Sequence, residues 1–113
     1  DLSISHTDGL IVVAIGKNHK IGIDVEKIHK VSDTIIEKYY SKAEKREILR
    51  TRVNAELVET KIWTMKEAYS KCLGTGLNRE LLMLDIYSRK EVLMETQIYK
   101  EYVITVCRMI GSM

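Results

Sequence analysis

The hydrophobic period of this chain changes twice, and that order limits its fold more than any other feature. Up to residue 28 the apolar residues run together or alternate. From 32 to 73 they recur every three to four positions, and from 83 onward the chain returns to β character. Strands, then helices, then strands is the order of an α+β domain; a doubly wound parallel sheet needs the two types interleaved. With 113 residues, 45% of them hydrophobic, and no Pro or low-complexity tract to divide it, the chain is read as one domain over 1–113.

Residues 2–5 and 10–16 read as strands joined at Thr7-Asp8-Gly9, because Asp-Gly favours hairpin turns. The run from Leu10 to Ile15 is apolar without alternation, so this strand is expected to be covered on both faces. In residues 21–28, Ile21, Ile23 and Val25 point one way, and Gly22, Asp24 and Glu26 the other. Ser32 or Asp33 can cap a short helix through Tyr40, and Ser41 with Glu44 makes a capping box for a second, reaching about Arg50. A long helix follows over 54–73, with Val58, Ile62, Met65, Tyr69 and Cys72 as one buried stripe and Gly74 and Gly76 as its stop. Residues 83–87, 92–99 and 102–109 read as strands, the last two joined at Lys100-Glu101.

The longest apolar run is far shorter than a membrane span, and no leader pattern marks the visible chain for export. Cys72 and Cys107 have no metal spacing, so a reduced, cytoplasmic setting is the expectation. A net charge of +2 does not announce a nucleic-acid binder. Residues 17–52 nevertheless hold ten Lys or Arg against six acids. That excess is either a solvated helical face or a surface for an anionic substrate or acidic partner.

Asp24 and Glu26, two apart on a strand, put their carboxylates on one face with Cα atoms ~6.6 Å apart. They repel unless a cation lies between them, which suits a hard divalent ion; an exposed face screened by nearby lysines would also do. Trp63, Glu67 and Lys71 follow one another at steps of four on the long helix. Glu67 and Lys71 could be a surface ion pair, or a third carboxylate and a cation for phosphate oxygens. His6, beside Ser5, is either a structural or surface histidine or a phosphate partner. Gly74-Thr75-Gly76 lacks the third Gly of a dinucleotide fingerprint, and Gly16-Lys17 lacks the earlier Gly of a P-loop.

Together, Ile4-Ser5-His6, Gly22-Ile23-Asp24-Val25-Glu26-Lys27-Ile28, the stretch from Trp63 through Lys66-Glu67 to Lys71, and Gly74-Thr75-Gly76-Leu77 resemble the 4′-phosphopantetheinyl transferases. Their order and spacing match the surfactin-synthetase type, and the likeness runs over nearly the whole chain. It implies an α+β fold with a small antiparallel sheet against one long and two shorter helices. It also implies transfer of the phosphopantetheine arm of coenzyme A to a serine of an acyl or peptidyl carrier protein, releasing adenosine 3′,5′-bisphosphate. By that resemblance Asp24, Glu26 and Glu67 would hold Mg²⁺, and Glu67 would deprotonate the acceptor serine. Lys71 would neutralise the pyrophosphate or protonate the leaving group, while Ser5 and His6 would contact coenzyme A. The acidity of carrier proteins makes Lys38, Lys42, Lys45 and Arg46 candidate docking residues.

Two-lobed members place coenzyme A between similar halves, and this chain resembles their C-terminal lobe alone, with the N-terminal lobe absent. Self-association or pairing with such a lobe is therefore expected, with no nucleic acid and no membrane as partner. Gly74-Thr75-Gly76 is similar to the short, trimeric holo-acyl-carrier-protein synthases, but Glu26 and the Ile-Ser-His order are not. A non-catalytic lobe that binds coenzyme A or carrier protein without turnover is the alternative.

Overall fold

A computed structural model describes residues 1–74 and 79–110. Strands β1 (Leu2–Thr7) and β2 (Leu10–Ile15) form an antiparallel hairpin, and β3 (Ile21–Lys27) follows it. Helices α1 (Asp33–Tyr39), α2 (Lys42–Arg50) and α3 (Ala55–Leu73) come next, then a single turn α4 (Arg79–Leu82) and a 3₁₀ turn at Ile86–Ser88. Strands β4 (Val92–Tyr99) and β5 (Tyr102–Met109) close the fold, giving a second antiparallel sheet in the order β3-β5-β4. Among the described residues no helix is long and apolar enough to cross a membrane.

The local signals act as their chemistry requires. The Ser32 side chain accepts from Ile35 N at the start of α1, and Ser41 with Glu44 forms both halves of the capping box on α2. Gly74, at φ 72°, ends α3 in the left-handed region. The second stop expected at Gly76, and the Thr75-Gly76-Leu77 part of the motif, lie outside the described residues.

Helix α3 lies across the sheet face that carries Gly22, Asp24 and Glu26. A side chain at Gly22 would stand 2.2 Å from the Ala68 carbonyl oxygen and 2.5 Å from Cys72 N, so helix and strand touch at the backbone there. In register with β3, β5 presents Cys107, Thr105 and Val103 to the same helix, and the Thr105 hydroxyl meets that of Thr64 at 3.0 Å.

Three expectations need correcting. Strand β2 is covered on one face only: Leu10, Val12 and Ala14 are half-buried, while Ile11, Val13 and Ile15 are 71%, 54% and 78% exposed. No described segment packs over that side.

Helix α3 is buried on more than one stripe, because α2 and the 79–88 segment cover Lys66 while Val31 and Tyr40 close over Glu59. Residues 83–87 are not a strand. Their backbone bonds are turns and a buried ion pair instead of a ladder: the Met83 and Leu84 amides donate to Arg79 and Leu81, Lys66 Nζ donates to the carbonyls of Leu82 and Leu84, and Glu44 Oε2 accepts from Ile86 N at 2.6 Å.

Candidate active site

The two strand carboxylates and the helix stripe meet where α3 crosses β3. Asp24 is buried at the centre of β3, Glu26 is half-buried two residues on, and Glu67 and Lys71 face them from α3. Lys71 Nζ lies 3.4 Å from Asp24 Oδ1 and donates to the Ile23 carbonyl at 3.1 Å. It also reaches the Ile4 carbonyl at 3.5 Å, so one ammonium spans both β1 and β3.

Those two strands form no backbone ladder. Instead Ser3 Oγ accepts from Ile23 N at 3.0 Å, Ser5 Oγ accepts from Val25 N at 3.1 Å, and Asp1 Oδ2 accepts from Ile21 N at 2.9 Å. Asp1, Ser3 and Ser5, alternate residues at the start of the chain, thus cap three successive edge amides of β3. Ser5 Oγ donates in turn to Asp24 Oδ1 at 3.2 Å.

Burial dominates the electrostatics, with the neighbouring carboxylates adding to it. Burial first, then the nearby Glu26, pushes the Asp24 carboxyl up to about 8; Glu67 adds to the shift and Lys71 opposes it. Glu26 is raised by burial, against the pull of His29 at 3.8 Å. Glu67 is raised by burial and then by Glu26. Asp24 thus holds its proton at neutral pH until a cation replaces it.

One atom marks where such a cation would sit. Asp24 Oδ2 is buried with no hydrogen-bond donor, while Oδ1 is shared by Ser5 and Lys71. Oxygen donors alone, with room for water, suit a hard ion such as Mg²⁺. Among the described residues no group of three or more His, Cys, Asp or Glu side chains is gathered closely enough to hold a metal ion, so the third carboxylate would have to move in as the ion binds.

His6 does not join this cluster. Successive strand residues point to opposite faces, so with Ser5 turned in, His6 is exposed beside its cross-strand partner Ile11. It lines a shallow surface hollow of about 710 Å³ at the hairpin tip, with Thr7, Asp8, Gly9, Leu10 and Ile11. None of the three carboxylates borders that hollow. Lys38, Lys42 and Arg46 are exposed on α1 and α2, and Lys45 pairs with Glu37 at 3.7 Å. Trp63 is stacked on Tyr40 at 6.4 Å, which covers the start of the stripe that carries Glu67.

Sequence reasoning assigned no role to Lys66, although it lies in the quoted motif. It is wholly buried, 2.9 Å from the equally buried Glu44 Oε1, and holds the segment behind Glu67 in place. A lysine at steps of four and three from Ile62 and Tyr69, on an otherwise apolar stripe, was the available signal.

A family model described as the 4′-phosphopantetheinyl transferase superfamily matches residues 20–107. The 4′-phosphopantetheinyl transferase gsp of Aneurinibacillus migulanus is 34% identical over 76 residues, covering 66% of this chain and 32% of that protein. The holo-[acyl-carrier-protein] synthase of Nautilia profundicola is 41% identical over 76 residues, covering 63% of this chain and 65% of that one. The chain thus spans less than two thirds of either relative. In fold it is similar to the crystal structure of Thermotoga maritima holo-[acyl-carrier-protein] synthase, with a TM-score of 0.62 at 22% identity, over 80% of this chain and 62% of that one.

Proposed function

This chain belongs to the 4′-phosphopantetheinyl transferase superfamily, and from that membership we propose that its carboxylate cluster serves transfer of 4′-phosphopantetheine from coenzyme A to a carrier-protein serine. The chemistry asks for three things: a base for the serine hydroxyl, neutralisation of a pyrophosphate, and a cation for the leaving group. Asp24, Glu26 and Glu67 would hold Mg²⁺, which when bound supplies charge neutralisation on the pyrophosphate.

The serine oxygen forms a bond to the phosphorus on the pantetheine side, and the pyrophosphate bond on its far side breaks. Adenosine 3′,5′-bisphosphate leaves with the electron pair. Glu67, a carboxylate made more basic by burial, takes the serine proton directly or through a water. Lys71, anchored on the carbonyls of Ile4 and Ile23, meets the negative charge that grows on the departing phosphate.

What supports this reading most is the approach of Lys71 to Asp24 at 3.4 Å across two elements far apart in sequence, within reach of the charges of Glu26 and Glu67. A surface ion pair of Glu67 with Lys71 alone would need no strand carboxylate beside it. The exposed aliphatic face of the β1–β2 hairpin supports a covering partner, either a second copy or a preceding lobe. His6 would then lie at that seam with coenzyme A. The exposed Lys38, Lys42 and Arg46, with Lys45, offer a basic surface to an acidic carrier.

The test is incubation with coenzyme A, Mg²⁺ and an apo acyl carrier protein, read by intact mass. One added phosphopantetheine arm, abolished in Glu67→Ala, is the expected result. No transfer at any protein concentration would favour a lobe that binds without turnover.

A further inference from the structure

The residue assigned to coenzyme A by resemblance, Ser5, has its hydroxyl committed elsewhere. A serine hydroxyl has one hydrogen to donate and two lone pairs to accept with. Its hydrogen goes to Asp24 Oδ1 at 3.2 Å, and one lone pair takes the Val25 amide at 3.1 Å. A phosphate oxygen also needs a donor, and this hydroxyl has no second hydrogen to give.

We infer that Ser5 is a positioning residue for the metal site: it fixes the Asp24 carboxyl so that Oδ1 is held by protein donors and Oδ2 is left for the cation. Three observations carry this. Ser5 is buried and tied to the β3 backbone one residue beyond Asp24, so its hydroxyl is a rigid post. Lys71 takes the same Oδ1 from the other side, so both donors act on one oxygen. The remaining oxygen is buried and has no donor. Groups that orient a ligating carboxylate typically control metal affinity by ~10–100-fold.

Ser3 provides the internal control. It caps Ile23 N just as Ser5 caps Val25 N, and its hydrogen bond joins the same two strands at 3.0 Å. If the hydroxyls only fasten β1 to β3, losing either has the same effect. If Ser5 orients Asp24, only its loss reaches the metal.

The experiment measures Mn²⁺ binding to the purified chain from the loss of the free-ion electron paramagnetic resonance signal, with and without coenzyme A. Ser5→Ala and Ser5→Cys, the latter keeping size with a poor donor, should each weaken Mn²⁺ by about tenfold or more, while Ser5→Thr and Ser3→Ala stay within about twofold. Two donor-deficient variants guard against one that does not fold, and a thermal melt identifies that case. The inference rests on the metal site of the proposed function, and the two fail differently. A wild-type chain that binds no Mn²⁺ overturns both. Wild-type binding with unchanged Ser5 variants, or equal weakening in Ser3→Ala, overturns the role of Ser5 alone.

Discussion

A carboxyl buried beside two others gives up its proton late, and Asp24 holds its own up to about 8 against an ordinary 3.8. Between those values the folded chain binds a proton there that the unfolded chain has lost. Stability therefore falls as pH rises. The contribution is whole below pH 3.8 and gone once pH passes about 8. Metal-free protein, kept in chelator, should melt at a lower temperature at pH 8 than at pH 5, and Asp24→Asn should flatten most of that slope. An unchanged slope in the variant would show that Asp24 is not the group responsible. That Asp24 shares a face with Glu26, and Glu67 with Lys71, was legible in the sequence because a spacing of two on a strand and four on a helix each fixes a shared face. The engagement of Ser5 was not, because it depends on β1 lying beside β3 without a backbone ladder, and no spacing within β1 announces that.

At the scale of elements, α3 joins two halves of the fold by different means. On the sheet side it approaches β3 at Gly22 closely enough that no side chain fits. On the other flank Lys66 and Glu44, both fully buried, satisfy four backbone groups: the carbonyls of Leu82 and Leu84, and the amides of Ser41 and Ile86. Lys66→Met would strand the Glu44 carboxylate and leave two carbonyls without donors. The loss should be about 3–5 kcal/mol, a large share of a domain's stability, read by urea unfolding. The double variant Lys66→Met, Glu44→Gln should recover part of that loss, because no charge is then left unpaired; equal loss in both would deny the coupling. The same pair explains why the apolar residues of 83–87 misled. Their sequence is short and mostly apolar, as a buried strand's can be, but the carbonyl of Leu84 and the amide of Ile86 are taken by a lysine and a glutamate contributed by two helices. The capping box at Ser41 and Glu44 was readable because it is local, whereas the second job of Glu44 links positions 42 residues apart.

The whole molecule presents two surfaces of opposite character. Lys42 and Arg46 stand exposed on α2, so the double reversal Lys42→Glu, Arg46→Glu should raise the KM for an acidic carrier at low salt and lose that effect at high salt. An unchanged KM would remove this surface from docking. The other surface is the outer face of the hairpin, where the cross-strand pairs Leu2 with Ile15 and Ile4 with Val13 stand exposed. The strand expected to be covered on both sides is covered on one. The sequence signalled the need for cover, in an unbroken aliphatic run, but could not say that the cover is missing from the described residues. Water against five clustered aliphatic side chains is unfavourable, so the purified chain should self-associate with rising concentration in sedimentation. Val13→Lys with Ile15→Lys should hold it monomeric and leave its melting temperature nearly unchanged, because neither side chain buries much surface within the chain. A wild-type chain that stays monomeric throughout would mean that this face needs no partner. A double variant that unfolds would mean that the face belongs to the chain's own core.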